Sequence, residues 1–422
     1  MPTPTRQLCA LLHDGQVLTD DARRVPAYDE DGRHTPLTDR VTASGDPTAV
    51  LAAPQLQVRA DPMELLSVFT PRAARAPGVW TAVADLAEDH DVVAALLSVD
   101  AVTAGRAEPP TRRPDWFTTS WYDEVEAWVD DRLAALGRRR TGPSEPVKVW
   151  SMSAVLRIPS DPDPVWLKAA CGHFHAEPAL TRLVSQMLPA HTPSVIATDD
   201  ERGWTLTEHM AGADEEAVPE GIGPPAARIA AALQLRSLEH LPEISAAGVP
   251  VRDLTATRHG FDDILAVSAE LDQLTPDEVA AARAARPTVH ALLEELDSLG
   301  IPDTLVHGDL HSGNVAQDGD SLLLYDWSDA SVSHPFLDVV LLGSRLSDDE
   351  REATHAAYAE VWRAAYPLLD TTRALALAEH ANTIYQMVTF EQIYRAQEDA
   401  SYWEMRGVVA RMLRTLPDLL AG

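Results

Sequence analysis

One stretch of the chain, LVHGDLHSGNV at residues 305–315, gathers side chains that can transfer protons or bind metals. They are His307, Asp309, His311 and Asn314. Carboxylates and imidazoles act as general acids and bases, and carboxylate and amide oxygens are ligands for hard cations such as Mg²⁺. Because two glycines interrupt the stretch, the sequence predicts a polar turn and not a helix.

Three interpretations fit this composition. His307 and His311, spaced i and i+4, could join Asp309 in a zinc site, but that spacing brings two ligands together on a helix, which the glycines oppose. The second interpretation is a polar turn without chemistry. The third is a phosphoryl-transfer site that uses Asp309 and Asn314.

The spacing favours phosphoryl transfer. An aspartate two residues after a histidine, with an asparagine five residues later, is the arrangement of a kinase catalytic loop. A further acid, Asp326, ends the next apolar run, LLLYD. Asp309 would orient and deprotonate a hydroxyl acceptor, and Asn314 and Asp326 would offer oxygen ligands to Mg²⁺.

Lysine usage indicates where nucleotide phosphates would bind. Only two of the 34 basic residues are lysines, Lys148 and Lys168. A lysine retained in so arginine-rich a chain fits a place where a compact ammonium is needed, although two lysines could also survive by chance. Lys168 lies in the predicted strand VWLKA, and Glu177 lies early in the helix predicted next. They could supply the phosphate-binding lysine and its carboxylate partner.

The surrounding elements follow from hydrophobic patterning. The runs VKVW, AVLRI and VWLKA predict an antiparallel meander, and FHAEPALTRLVSQML predicts a helix. PSVIATDDERGWTLTEHMAG predicts two more strands and a connector that ends at Gly212. From about residue 213 the pattern is mainly helical, except at 303–328, where TLVHGDL and SLLLYDW flank a turn. Earlier, WYDEVEAWVDDRLAALG predicts a helix.

VHGDLHSGN, followed by YDWSDA and HPFLD, resembles the aminoglycoside phosphotransferase family, which is related to choline kinases and maltokinases. The match runs from about Trp150 to the C-terminus. It implies an α+β, bilobal protein-kinase-like fold with a small antiparallel-sheet N-lobe and a mainly helical C-lobe. We expect an N-terminal α/β accessory domain at 1–112, the N-lobe with a leading helix at 113–212, and the C-lobe at 213–422.

The resemblance also implies ATP and Mg²⁺ as cofactors, and roles for individual residues. By the resemblance, Asp309 is the catalytic base, and Asn314 and Asp326 are magnesium ligands. Lys168 and Glu177 form the pair that binds the ATP phosphates. Asp338 in HPFLD matches an acidic residue that braces the catalytic loop, and His307 matches a packing position. His311 matches the family's second histidine, to which we assign no role.

The chain departs from better-known kinase patterns at the nucleotide. No G-x-G-x-x-G is present, and WSMSA at 150–154 occupies the expected hairpin turn. The hydroxyls and backbone amides of Ser151 and Ser153 could contact phosphate, although an ordinary turn is an equal alternative. The connector from Glu208 to Met210 would bind adenine through backbone groups. DWS in place of D-F-G, with no A-P-E after it, disfavours a protein kinase.

Acceptor selectivity is expected in the helical lobe. One long predicted helix there, within NTIYQMVTFEQIYRAQEDASYWEMR, carries five polar or aromatic candidates: Tyr385, Gln386, Glu391, Tyr394 and Glu398. Some would face the acceptor, and for each alone a place in the core or on the surface is the simpler expectation.

Composition excludes some partners. A formal net charge of −31 opposes general binding to nucleic acid or anionic membranes. The acidity favours cationic small molecules, although solubility alone explains it more simply. No signal sequence or apolar membrane span is recognisable, and Cys9 and Cys171 fit two reduced thiols, so we expect a cytoplasmic protein.

The sequence therefore predicts an ATP-dependent phosphotransferase that modifies a hydroxyl of a small molecule. Candidate acceptors are amino sugars, aminoglycoside-like or nucleoside antibiotics, and sugars, with antibiotic resistance as one role. The alternative is a catalytically inactive, kinase-like small-molecule-binding protein. A separate activity for residues 1–112 has no motif in its support.

Overall fold

The structure is a computed structural model that describes residues 5–13, 16–17, 49–59, 112, 114–117, 119–142, 144–149, 151–210, 221–319, 321–397 and 405–421. The predicted accessory domain lies outside the described residues except for residue 112 and three strands, β1 (Thr5–His13), β2 (Gln16–Val17) and β3 (Ala49–Arg59). They form an antiparallel sheet in the order β2-β1-β3. The limits of the three predicted domains remain predictions.

The chain divides into two compact units. The first holds residues 1–173 and 396–404, and the second holds residues 174–395 and 405–422.

The first unit contains one long helix and the predicted meander. Its elements after β3 are α1 (Thr119–Ala135), β4 (Arg139–Arg140), β5 (Glu145–Val149), β6 (Ser153–Ile158), β7 (Ser160–Asp161) and β8 (Val165–Ala170). Strands β5, β6 and β8 pair antiparallel in that order, and Lys168 lies opposite Val155. The three strands confirm the predicted meander.

Helix α1 forms where the apolar spacing predicts it. Its buried face holds Trp121, Val125, Trp128, Val129 and Leu133. Just past its end, Gly137 has a φ of +69°, a left-handed conformation that glycine adopts without steric strain. The two tryptophans are therefore packing residues, as their spacing indicates.

The second unit is mainly helical, and its described strands form three short ladders. Its helices are α2 (Glu177–Met187), α3 (Gly223–Ser237), α4 (Leu241–Ala246), α5 (Leu254–Val267), α6 (Pro276–Ser298), α7 (Phe336–Gly343), α8 (Asp348–Ala365), α9 (Thr371–Ala396) and α10 (Val408–Ala421). Its strands are β9 (Val195–Asp199), β10 (Trp204–Glu208), β11 (Thr304–Val306), β12 (Val315–Asp318), β13 (Ser321–Leu324) and β14 (Ser331–Ser333). The ladders are β9–β10, β11–β14 and β12–β13. Antiparallel sheet and separate helices make the fold α+β, as predicted.

The core of the second unit supports the segments that carry the candidate site. Phe336, Tyr358 and Trp362 are fully buried, and the Phe336 and Tyr358 rings meet edge to face, with centroids 5.0 Å apart. Strand β11 pairs with β14 and β12 pairs with β13, both antiparallel, so these pairs fix the two ends of the polar loop between β11 and β12. Among the described helices, none is long and apolar enough to cross a membrane.

Candidate active site

Residues 307–314, the 307–314 loop, connect β11 to β12 in the second unit. Immediately after the loop, Val315 pairs with Leu324, and the Tyr325 N–H donates to the Asn314 carbonyl at 3.2 Å. Asp326 follows Tyr325 directly. The β12–β13 hairpin therefore brings Asn314 and Asp326 to the same end of one ladder, although eleven residues separate them in sequence.

Asp309 and Asn314 contact each other. The Asn314 Nδ2 group donates to the Asp309 carbonyl at 2.7 Å and to Asp309 Oδ2 at 3.3 Å. These bonds fix the amide orientation, so Asn314 Oδ1 is the atom left for another partner. Asn314 is buried, but the Asp309 side chain is 41% exposed. A buried amide thus holds a carboxylate that remains accessible to a substrate.

Asp338, on α7, holds the start of the loop. Its Oδ2 accepts the His307 backbone N–H at 2.8 Å, and its Oδ1 accepts the Gly308 N–H at 3.0 Å. Gln234 Nε2 adds a third bond at 3.0 Å. Burial raises the pKa of Asp338, and the two backbone N–H groups and Gln234 oppose that rise by stabilising the carboxylate. The geometry agrees with the bracing role that the resemblance implies for Asp338.

Gly308 is the point of closest backbone approach in the loop. Its φ is +82°, and a Cβ there would lie 2.2 Å from the Asp329 carbonyl oxygen. Gln386 Nε2 donates to the Gly308 carbonyl at 2.7 Å from helix α9. No larger residue fits this position without displacing the segment that holds Asp329.

His307 is a packing residue. It is buried, its Nε2 lies 2.9 Å from the Tyr325 carbonyl, and its ring centroid lies 4.5 Å from that of Trp327. A carbonyl oxygen only accepts, so Nε2 carries the proton. Within the described residues no three His, Cys, Asp or Glu side chains form a metal-binding group, which removes the support for the zinc interpretation.

A serine that the sequence analysis did not single out connects two of the predicted site residues. Ser328 Oγ lies 3.0 Å from Asp326 Oδ1 and 2.9 Å from Glu177 Oε2. Glu177 is buried at the first turn of α2, and Asp326 is exposed with a φ of +67°. The signal for Ser328 was present in the sequence, because it is the S of DWS, where a protein kinase has glycine.

The donors at this end of the hairpin fit Mg²⁺. The Asn314 amide oxygen and the Asp326 carboxylate are hard oxygen ligands. Magnesium in nucleotide sites is usually bound by one or two protein carboxylates, with phosphates and waters completing the octahedron. Two protein ligands near an accessible carboxylate suit that arrangement better than they suit a closed, all-protein metal site.

The predicted nucleotide residues are distributed as follows. In the first unit, Lys168 is half-buried on β8, and Ser151 and Ser153 are buried at the turn between β5 and β6. Ser151 Oγ accepts a bond from Gln397 Nε2 at 2.6 Å. In the second unit, Glu208 and Met210 are half-buried, and the Glu208 N–H donates to the Ser194 carbonyl at 2.9 Å. That N–H therefore already has a backbone partner.

Of the five acceptor candidates, Gln386 on the long helix α9 contacts the 307–314 loop through the Gly308 carbonyl. Tyr385 and Glu391 are buried, bonded to Arg252 Nη1 at 3.1 Å and to Ser268 Oγ at 2.8 Å respectively, so both are core residues. Tyr394 is half-buried, and Glu398 lies outside the described residues.

Comparison with known proteins assigns the family. The profile of the Phosphotransferase enzyme family, APH, matches residues 146–375, more than half of the chain. The chain belongs to this family. The match includes the meander that carries Lys168, the 307–314 loop, Asp326 and Asp338, and it confirms the resemblance to aminoglycoside phosphotransferases. The protein is a small-molecule phosphotransferase of this family.

This APH family member is also similar to solved structures at low sequence identity. They include a choline/ethanolamine kinase family protein from Mesorhizobium loti (17% identity, 71% of this chain, 97% of that chain, TM-score 0.47). They also include macrolide 2'-phosphotransferase MphH from Brachybacterium faecium (16% identity, 68% of this chain, 98% of that chain, TM-score 0.46). A third is a spectinomycin phosphotransferase, APH(9)-Ia, in complex with ADP and spectinomycin (11% identity, 70% of this chain, 97% of that chain, TM-score 0.47). No curated protein matches the chain.

Proposed function

We propose that the protein is an ATP- and Mg²⁺-dependent phosphotransferase that acts on a hydroxyl of a small molecule, with Asp309 as the catalytic base. The observation that carries the proposal is the contact between Asp309 and Asn314 in a loop held by Asp338. An accessible carboxylate in a fixed position is the group that a hydroxyl acceptor needs.

The reaction forms a bond between the acceptor oxygen and the γ-phosphorus of ATP. It breaks the bond from that phosphorus to the oxygen shared with ADP, which leaves with the electron pair. The hydroxyl proton passes to Asp309. Since phosphoryl transfer requires little covalent chemistry from the protein, most of the rate enhancement comes from positioning and charge stabilisation.

Asn314 Oδ1 and the Asp326 carboxylate would hold Mg²⁺, which when bound neutralises charge on the phosphate oxygens. Asn314 would then have two functions, since its Nδ2 holds Asp309 while its Oδ1 would hold the metal. The Ser328 hydroxyl, 3.0 Å from Asp326 Oδ1, would orient this carboxylate.

The nucleotide-binding roles come from the family resemblance. Lys168 with Glu177 would hold the ATP phosphates, and backbone groups of Ser151 and Ser153 would contact them. Because the Ser151 hydroxyl already accepts from Gln397, the backbone amides are the better candidates at this turn. Adenine would bind at the backbone of Glu208 and Met210.

A screen of ADP formation against amino sugars, aminoglycosides, sugars and nucleosides tests the proposal. We expect one class to raise ADP formation above the rate without acceptor, with a phosphorylated product visible by mass spectrometry. If Mg-ATP binds but no acceptor in these classes gains phosphate, the alternative of an inactive binding protein replaces the proposal. The acceptor is expected to include cationic compounds, since the chain carries a net charge of −31.

The two lysines provide a matched test of the nucleotide site. Both lie half-buried on strands of the same meander, and both can be changed to arginine with the charge retained. We expect Lys168→Arg to lose turnover by an order of magnitude or more, because a planar guanidinium is too broad for a site shaped for an ammonium. Lys148→Arg should be nearly neutral. Equal activity in the two folded variants would remove Lys168 from the nucleotide site.

A further inference from the structure

His311 lies between the backbone of the 307–314 loop and the candidate base. On one side, its Nδ1 is 2.9 Å from the Gly313 backbone nitrogen and 3.3 Å from Arg345 Nη1. On the other side, its Nε2 is 3.6 Å from Asp309 Oδ2. The side chain is only 13% exposed. The imidazole therefore presents different nitrogens to different partners.

The partners of Nδ1 decide the tautomer. A backbone N–H and a guanidinium N–H are donors only, so Nδ1 must be the nitrogen with the free lone pair. In a neutral imidazole the proton is then on Nε2. That nitrogen lies 3.6 Å from Asp309 Oδ2, which is longer than a hydrogen bond, so a shift of a few tenths of an ångström would be needed to form one.

The two oxygens of Asp309 are consequently different. Oδ2 receives the Asn314 Nδ2 at 3.3 Å and faces His311 Nε2 at 3.6 Å. Asp309 Oδ1 has no hydrogen-bond partner among the residues that the structure describes. Oδ2 therefore accepts one hydrogen bond, from Asn314, and has a second N–H close by, and an oxygen that already accepts a hydrogen bond is a poorer proton acceptor than its neighbour on the same carboxylate.

We infer that His311, with its proton on Nε2, is a positioning residue that holds Asp309 Oδ2, and that Asp309 Oδ1 is the oxygen that takes the proton of the acceptor hydroxyl. This inference rests on the proposed function for its second half, since the proton transfer requires Asp309 to be the base. Its first half, the tautomer and the orientation of the carboxylate, concerns the chain alone.

A structural role for His311 would predict something different. Its Nδ1 also caps the short turn at Ser312–Asn314 by accepting the Gly313 N–H, and a Cβ on Gly313 would lie 2.9 Å from that nitrogen. If capping were its whole function, any residue that caps the turn would replace it. Asparagine caps well and is too short to reach Asp309, whereas glutamine reaches about as far as Nε2 but lacks the acceptor at Nδ1. The two substitutions therefore separate the two roles.

The tautomer can be measured without turnover. Nitrogen NMR of protein labelled at histidine distinguishes a protonated from an unprotonated ring nitrogen, and it is recorded in the pH range where the His311 signals no longer change with pH. The signals that vanish in His311→Asn identify His311. We expect an unprotonated Nδ1 and a protonated Nε2. A protonated Nδ1 would overturn the inference.

The orientation of Asp309 is tested by kinetics with Mg-ATP, using water as the acceptor so that no other substrate is needed. We expect His311→Asn to keep the wild-type melting temperature and KM for ATP but to lose about tenfold in kcat. This loss is smaller than the loss expected when the base Asp309 is removed, because Asn314 still holds Oδ2. His311→Gln should lose less kcat although it melts earlier. His290→Asn, at the surface pair in which His290 Nε2 lies 2.9 Å from Asp262, is the matched control and should leave kcat unchanged.

The outcomes separate the inference from the proposed function. If kcat follows the melting temperature, so that His311→Asn is active and His311→Gln is not, His311 is only a cap and the inference is wrong. If Asp309→Asn hydrolyses ATP at the wild-type rate, the proposed function is wrong, and the NMR result still decides the tautomer. A lower kcat for His311→Asn with an inactive Asp309→Asn supports both.

Discussion

Two neighbouring segments of the candidate site are held in opposite ways. The 307–314 loop is fixed by hydrogen bonds to residues of other helices. Two of its backbone N–H groups donate to Asp338, and the Gly308 carbonyl accepts from Gln386. The segment 326–328 has an exposed acid, Asp326, which Ser328 connects to Glu177. The first segment carries the candidate base and the second carries a candidate metal ligand.

The difference agrees with the demands on each residue. A base must meet its hydroxyl within a few tenths of an ångström, and a misplacement of about 1 Å can cost about 10²-fold in rate. Magnesium at nucleotide sites usually keeps several waters and phosphate oxygens as ligands, so a change at one protein ligand should weaken its binding without removing it. We therefore expect changes in the 307–314 loop to affect turnover most, and changes at 326–328 to affect mainly the Mg²⁺ dependence.

The largest effect is expected for Gly308→Ala. A positive φ alone costs a non-glycine residue roughly 1–2 kcal/mol, and here the new Cβ would also meet the Asp329 carbonyl at 2.2 Å. We expect a lower free energy of unfolding in urea and at least a ~10²-fold loss of turnover. Gly319→Ala is the matched control, because its φ is +61° but nothing lies within 4 Å of the added Cβ. Equal effects in the two variants would show that the close approach at Gly308 is unimportant.

Acid should lower the free energy of unfolding through His334. This residue precedes α7, the helix whose Asp338 holds the 307–314 loop. Burial lowers the pKa of His334 from 6.5 to about 3, and its two ring nitrogens have no hydrogen-bond partner among the described residues. The unfolded chain therefore takes up a proton below pH 6.5 that the folded chain refuses until about pH 3. The stability contributed by neutral His334 is present above pH 6.5 and falls by up to about 1.4 kcal/mol per pH unit below it.

Urea unfolding of wild type and His334→Phe from pH 7 to pH 4 measures this contribution. Asp303, whose pKa is raised to about 6 by burial and by Asp253 and Asp297, acts in the opposite direction, since its contribution is lost as pH rises from 3.8 towards 6. Because Asp303 is present in both proteins, its effect cancels in the difference. If the free energy of unfolding depends on pH in the same way in both proteins, protonation of His334 does not destabilise the folded chain.

The smallest effect is expected at Ser328. Removal of its hydroxyl in Ser328→Ala should raise the Mg²⁺ concentration for half-maximal activity by roughly threefold to tenfold, since one hydrogen bond to a charged group contributes about 1.5 kcal/mol or less at a partly exposed site. Ser328→Thr should restore the wild-type value. Ser344→Ala, which removes an exposed hydroxyl bonded to the Leu341 carbonyl, is the control. If Ser328→Ala lost as much kcat as Gly308→Ala, the proposed difference between the 307–314 loop and the segment 326–328 would be wrong.

Local pattern predicted the elements and the polar loop. The runs VKVW, AVLRI and VWLKA correspond to β5, β6 and β8, and the HxD-x₄-N spacing selects Asp309 and Asn314, which contact each other in the structure. Strand alternation and motif spacing are properties of short segments, so one sequence is enough to show them.

Contacts between distant residues could not be predicted in the same way. Ser328 and Glu177 are 151 residues apart, and Gln386 and Gly308 are 78 apart. Neither pair has a spacing that repeats, because the contact arises only when separate helices and loops pack. The tautomer of His311 likewise depends on Arg345, 34 residues away, and on a backbone N–H.

The most direct test of the account is the turnover of Asp309→Asn with Mg-ATP and the acceptor found by the screen. Asparagine keeps the size of the side chain and an oxygen for Asn314, but it cannot accept the hydroxyl proton. We predict unchanged Mg-ATP affinity by calorimetry and at least a ~10²-fold loss of kcat. Phosphorylation at close to the wild-type rate by the folded variant would contradict the central claim that Asp309 is the base.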